Sequence, residues 1–241
     1  MPNAPAYKRV VLKVSGEALC APGGSGIDPA ELELIAKEVY DAAQQGTEVA
    51  VVVGGGNIIR GGTLAATGKF DQASADYMGM LGTVINGLAL KEALQNLGQQ
   101  ARVMSALSVT SVAERYIYGR ALRHLEKGRV VIFVGGTGNP FFTTDSAAAL
   151  RAAEIGADAV LKATKVDGIY DRDPNKFDDA VRYDTLTFKE AIEQELGVMD
   201  TTAFAMCQER NIPIVVFDMK QPGNIAEVVA GTPHGTRVSA G

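Results

Sequence analysis

The stretch Val130-Val131-Ile132-Phe133-Val134-Gly135-Gly136-Thr137-Gly138-Asn139-Pro140-Phe141-Phe142-Thr143-Thr144-Asp145-Ser146-Ala147-Ala148-Ala149-Leu150-Arg151 decides the fold of this chain. Its first five residues, apolar and mostly β-branched, read as a buried strand. Glycines then turn the chain, a hydroxyl-rich segment follows, and the alanine run opens a helix. A strand fed through a glycine turn onto a helix N-terminus leaves backbone N–H groups unpaired. Such a junction suits an anion, usually a phosphate.

Two earlier strands end the same way. Arg9 to Val14 runs into Ser15-Gly16-Glu17, and Glu48 to Val53 runs into Gly54-Gly55-Gly56-Asn57. Between them, Asp28-Pro29-Ala30-Glu31 reads as a helix start with Asp28 as cap and Glu31 in capping-box position, and Gly46 stops the helix. A polar loop, 61–68, precedes a long helix from about Ser74 to Leu97. Met78, Leu81, Ile85, Leu88 and Leu94 line one side of it, and Met80, Val84 and Leu90 widen the apolar surface. That predicts full burial, with a partner subunit supplying part of it. Ala101 to Met104 is a brief strand, and Ser111 is a helix start. Ala159 to Thr164 is a strand, and Val166 to Tyr170 a turn into an extended segment. Thr187 and Glu190 form a capping box, Asp200 opens a further helix, Ile214 to Phe217 is the last strong strand, and a short helix follows Asn224.

Strands alternating with helices predict an α/β fold: a three-layer αβα sandwich around a mostly parallel central sheet. Ligands of such sheets sit at the carboxyl ends of the strands, where each glycine turn falls. The expected organisation is a single domain over 1–241, with approximate lobes 8–157 and 158–241.

Composition narrows the function. Of 241 residues, 46% are hydrophobic and 21% charged, which is ordinary for a globular protein that buries a core. The net charge of −5 speaks against a general nucleic-acid binder. Cys20 and Cys207 have no metal or redox spacing and fit a reducing compartment. Met1 to Lys8 has no apolar signal core and no segment reaches the length of a membrane span, so a soluble cytoplasmic protein is expected.

Common nucleotide motifs are absent. A P-loop ending at Gly68-Lys69 would need glycine where Thr63 stands and a hydroxyl where Phe70 stands. A dinucleotide fingerprint would need glycine where Ile59 stands. Lys13, at a strand end before Ser15 and Gly16, can reach a phosphate, although a surface lysine before a turn is the commoner case. Three glycines after a buried strand imply close approach of a ligand or of backbone, and Arg60 can fork onto phosphate oxygens. Asp76, near the start of the long helix, reads from the pattern alone as a dipole-stabilising carboxylate. Lys162 and Thr164 end another strand, with Lys165 adjacent. Tyr170, Asp171 and Asp173 lie in a loop able to stack on a base and accept protons from it. His124 and His234 fall outside every glycine turn and read as structural. Lysines, arginine, hydroxyls and free N–H groups without an imidazole base favour phosphoryl transfer to an acceptor that is already ionised.

Lys13-Val14-Ser15-Gly16-Glu17-Ala18-Leu19, Gly54 to Gly61, Gly136 to Asp145 and Leu161 to Gly168 resemble the bacterial UMP kinases, a branch of the amino acid kinase family. The resemblance runs from about Lys8 to Arg237, and the segment Thr137 to Asp145 is its most specific part. It implies phosphorylation of UMP to UDP by ATP and Mg²⁺ in pyrimidine nucleotide biosynthesis, by in-line transfer without a general base. By that resemblance Lys13, Lys162 and Asp145 are catalytic. Lys13, Val14, Ser15, Gly16, Gly56, Arg60, Thr164, Tyr170 and Asp173 contact ATP. Gly55, Asp76, Thr137, Gly138, Asn139, Pro140, Phe141, Phe142, Thr143 and Thr144 contact UMP. No protein metal ligands are assigned, and Mg²⁺ rides on the nucleotide. The resemblance also implies a homohexamer, GTP as activator and UTP as inhibitor. Two alternatives stay open: a family kinase with a carboxylate, carbamate or other phosphate acceptor, and a non-catalytic nucleotide or anion binder on the same fold.

Overall fold

The protein is described by a computed structural model covering residues 6–174, 176–194, 196–219 and 221–241. Strand β1 (Arg9–Val14) lies mid-sheet between β2 (Glu48–Val53) and β6 (Ala159–Thr164), parallel to both. Beyond β2 come β5 (Val130–Val134), β3 (Ala101–Ser105) and the two-residue β4 (Glu114–Arg115). Beyond β6 come β10 (Ile214–Asp218), β11 (Thr236–Ser239) and β9 (Thr185–Thr187). All neighbours pair parallel except β10 with β11. A separate antiparallel hairpin joins β7 (Ile169–Tyr170) to β8 (Arg182–Tyr183).

Side chains alternate across each strand, and this sorts two cores onto opposite faces. Val10, Leu12 and Val14 of β1 pack under α1 (Pro29–Gln44), α3 (Gln72–Asn96) and α8 (Asn224–Val229). On the other face Val11 and Val160 pack under α4 (Tyr118–Glu126), α5 (Thr144–Ile155), α6 (Phe188–Glu193) and α7 (Thr201–Glu209). The expected three-layer sandwich with its mostly parallel sheet is the observed fold.

Local expectations fare unevenly. Asp28 caps α1, accepting from the N–H groups of Ala30 and Glu31 at 2.9 and 3.1 Å. Its own N–H donates to the Leu19 carbonyl, so the reciprocal half of the capping box does not form there. At Thr187 and Glu190 both halves do. Ser111 starts no helix. The Val109 carbonyl gathers the N–H groups of Val112 and Ala113 into a turn, and the chain then pairs with β3 before α4 begins at Tyr118. The loop 61–68 contains a short helix, α2 (Gly61–Ala66). Helix α3 is not fully buried: Met80, Val84, Leu90 and Leu94 face the core, but Tyr77, Leu81 and Ile85 stand 43%, 48% and 48% exposed.

Candidate functional site

Lys13 and Lys162 are register partners on adjacent strands. By alternation both fall on the α5 face of the sheet, Lys13 one position and Lys162 two positions before their strands end. Both are almost completely buried. Two buried ammonium groups side by side repel, and the first turn of α5 supplies the compensation. Asp145 Oδ1 lies 3.0 Å from Lys13 Nζ, and Oδ2 lies 2.5 Å from Lys162 Nζ. Lys162 also donates to the Val198 carbonyl. Burial works against an ionised Asp145, yet the charges of Lys13 and Lys162 outweigh it and hold the carboxyl below its usual range. Burial also pushes Lys162 below the usual lysine range. Asp145 partly offsets this, and the like charge of Lys13 adds to it. Asp145 Oδ1 is met by the Lys13 ammonium as a charge contact rather than a hydrogen bond of good geometry.

The N-terminus of α5 is itself braced. The Thr143 hydroxyl accepts from the N–H groups of Asp145 and Ser146 at 3.0 and 3.3 Å and donates to Asp200. The Ser146 hydroxyl lies 3.0 and 3.1 Å from the two Asp200 oxygens. Asp200 also caps α7, accepting from the Ala203 N–H at 2.8 Å. One carboxylate thus ties two helix starts together beside the lysines. Sequence reading saw Asp200 only as a helix opener, because its link to Thr143 and Ser146 spans more than fifty residues.

The glycine turns after β1 and β2 interlock. A Cβ on Gly55 would stand 2.5 Å from the Gly79 carbonyl oxygen of α3, and one on Gly16 would stand 2.5 Å from Asn57 Oδ1. Backbone approach therefore accounts for Gly16 and Gly55, whereas the space at Gly56 is bounded only by the Arg60 side chain. Buried Asn57 and Asn86 pair amide to amide at 3.1 and 2.6 Å, locking the turn to α3. Arg60 pairs with Glu17, which also faces Lys165 at 3.4 Å. These side chains are well exposed, so the pairs add little stability and can yield to a stronger anion.

Two clefts flank the Lys13–Asp145–Lys162 group. The first, about 220 Å³, is lined by Gly55, Gly56, Arg60, Asp76, Thr137, Asn139, Phe142, Thr143 and Thr144, together with Met80 and Thr83. Its Thr144 directly precedes Asp145. The second, about 490 Å³, is lined by Thr164, Gly168, Tyr170, Asp171, Asp173 and Val198 among others, and the Val198 carbonyl receives Lys162. Asp76 does more than face a helix dipole. Its Oδ2 accepts the Phe141 N–H at 2.8 Å across 65 residues, and Oδ1 accepts from Gln72 at 2.8 Å. Phe141 is a non-glycine residue at φ 70°, 73% exposed, so Asp76 holds a strained loop over the first cleft. Gly138 packs against Ala106, and neither it, Pro140 nor Phe141 lines that cleft. Thr83, which accepts from the Gly135 N–H at 2.7 Å, went unnoticed in sequence as a single hydroxyl inside an apolar helix. His124 pairs with Glu114 and Arg129, and His234 with Glu227, away from both clefts. Among the described residues no cluster of three or more His, Cys, Asp or Glu side chains is placed to hold a metal.

The profile of the amino acid kinase family matches residues 8–218. The chain belongs to the amino acid kinase family. Within it, the chain is 56% identical over 232 residues to proteins named uridylate kinase from Xanthomonas campestris pv. campestris and Xanthomonas oryzae pv. oryzae, with 96% of each chain covered. Among solved structures, a UMP kinase from Bacillus anthracis superposes with a TM-score of 0.94 at 39% identity, covering 97% of this chain and 96% of that one. A UMP kinase from Ureaplasma parvum gives 0.90 at 40% identity, covering 96% and 98%. In this amino acid kinase the family's sheet is continuous across β1 and β6, so residues from both halves of the chain meet at Lys13 and Lys162.

Proposed function

We propose that the chain transfers the γ-phosphoryl group of ATP to UMP, giving ADP and UDP. The observation that carries this reading is the buried Lys13–Asp145–Lys162 group standing between two clefts of different lining. The first cleft, on the 8–157 side, receives UMP, with Asp76 and Gly55 at the nucleotide and Thr137, Asn139, Phe142, Thr143 and Thr144 around its phosphate and base. The second, on the 158–241 side, receives the ATP nucleoside at Thr164, Tyr170 and Asp173. Ser15, Gly16, Gly56 and Arg60 line the path of the ATP phosphates between them, with the Val14 backbone leading into the turn. The names of the relatives support UMP as acceptor over a carboxylate or carbamate.

The chemistry follows from charge. Acceptor and donor are both anions, so the barrier is repulsion as much as bond making. Lys13 and Lys162 supply fixed positive charge where charge gathers in the transition state, and the positive end of the α5 dipole adds to it. The UMP phosphate is already ionised, so no base is needed to activate it. Asp145 supports the proton on Lys162 and aims both lysines. Mg²⁺ bound to the ATP phosphates would neutralise them further, and Asp145 is the carboxylate beside the two lysines that would face it.

A coupled assay with ATP and Mg²⁺ across nucleoside monophosphates and amino-acid carboxylates tests the assignment. UMP should be preferred by orders of magnitude, and equal turnover of a carboxylate acceptor would remove it. Asp76→Asn should raise the KM for UMP by about tenfold, the worth of one charged hydrogen bond, and leave the KM for ATP unchanged. Equal losses on both substrates would contradict the cleft assignment. The pH profile should be a bell. Its acid limb falls near the second ionisation of the acceptor phosphate, at about 6. Its alkaline limb lies below the ordinary lysine value of about 10.4, because the lowered Lys162 loses its proton as pH rises through it. An alkaline limb at the ordinary value would speak against Lys162.

The exposed stripe Tyr77, Leu81 and Ile85 on α3 is assigned to contact with a second copy of the chain, within the hexamer that the resemblance implies. Light scattering at micromolar concentration should show an oligomer, and a monomer would refute the assignment. GTP activation and UTP inhibition belong to the same reading and are tested by adding each to the UMP assay.

A further inference from the structure

Thr236 is fully buried at the start of β11, far in sequence from the glycine turns after β1, β2 and β5. Its hydroxyl accepts the Ile169 N–H at 2.8 Å and donates to the Tyr183 carbonyl. Ile169 and Tyr183 are register partners across the β7–β8 hairpin. A single hydroxyl therefore reaches both strands of that hairpin from the main sheet. The backbone is drawn in closely around it. A Cβ on Gly168 would stand 2.6 Å from Thr236 Oγ1, and one on Gly235, at φ 72°, would stand 1.9 Å from the Val216 carbonyl oxygen. A ribbon of two residues per strand has no stability of its own, so its angle to the sheet is set by such anchors. The same ribbon presents Gly168, Tyr170 and Asp171 to the second cleft.

We propose that Thr236 is a positioning residue for the ATP-nucleoside cleft: its hydroxyl fixes the hairpin and so the placement of Tyr170, without touching the nucleotide. This rests on the reading of that cleft as the ATP nucleoside site. Removing the hydroxyl strands a buried N–H and a buried carbonyl, which can be satisfied only if the hairpin shifts.

The test compares Thr236→Val, which keeps the shape and loses the hydroxyl, with Thr236→Ser, which keeps it, in steady-state kinetics and amide hydrogen exchange. Thr236→Val should raise the KM for ATP about tenfold, with kcat and the KM for UMP within about twofold, and the Ile169 amide should lose protection. Thr236→Ser should restore both. Should the valine variant not accumulate folded, Thr236→Ala against Thr236→Ser makes the same comparison. An unchanged KM for ATP, or a parallel rise for ATP and UMP, overturns the role of Thr236. Tyr170→Ala, assayed in parallel, separates the two levels. If it leaves the KM for ATP unchanged, the cleft reading itself fails. If it raises that KM while Thr236→Val does not, only the positioning role fails.

Discussion

Asp145→Asn is expected to lower kcat by about 10²–10³-fold, the scale of losing one fixed electrostatic element of a transition state. The side chain keeps its size, but the charge that balances Lys13 and Lys162 is gone. Two buried ammonium groups then face each other, and Lys162, already lowered by burial, loses the partner that supports its proton. The alkaline limb of the pH profile should therefore move to lower pH in the variant, and stopped-time assays across pH read both effects together. A stability cost also follows. A carboxyl depressed in the fold contributes stability above its ordinary value of about 3.9, lost as pH falls through the lower folded value. At neutral pH that contribution is present, and the variant lacks it. Breaking a buried ion pair costs about 3–5 kcal/mol, so denaturant unfolding should show a lower midpoint. A variant with wild-type kcat would remove Asp145 from the chemistry.

Gly55→Ala is expected to be damaging for a different reason. Its Cβ would meet the Gly79 carbonyl oxygen at 2.5 Å and the Thr83 nitrogen at 3.0 Å, and both belong to the backbone of α3. No rotamer change relieves a clash with backbone, so the turn and the helix must separate. Overpacking of this kind costs about 3 kcal/mol. Separation also moves Asp76 and Thr83, which hold the opposite wall of the first cleft, so the KM for UMP should rise along with the fall in stability. The urea midpoint and the two KM values check this. Unchanged values for all three would mean that the turn yields without disturbing the cleft.

Much of the architecture was legible because it rests on short-range pattern. The runs at Val10, Val49, Val130 and Ile214 are rich in β-branched residues, and the first three end in glycine-bearing turns. Thr187 and Glu190 declare their helix locally, and Thr143 declares α5. Legibility failed where long-range pairing outweighs local preference. The turn after Ser111 gives way to β4 because β3 offers it an edge. β8, β9 and β11 are too short and too polar to signal themselves, and they exist because neighbouring strands satisfy their backbone. The long helix misled in one respect. Its apolar residues encircle it, but periodicity cannot distinguish a face covered by the chain's own sheet from one left to another copy.

The site divides along the same line. By itself the sequence determined the chemical inventory: glycine turns at strand ends, lysines where phosphate charge must be met, a hydroxyl-rich helix start, and no imidazole among them. Those are properties of residue type and spacing, carried by sterics and charge within a few positions. Only the tertiary structure decided that Lys13 and Lys162 stand side by side on one face with Asp145 between them. It alone decided that Asp76 reaches the Phe141 backbone, that Asp200 joins two helix starts, and that Thr236 pins a hairpin. Each of those contacts links segments that the chain brings together only by folding. Their geometry is set by the register of the sheet and the packing of helices on it, and no local run of sequence encodes that.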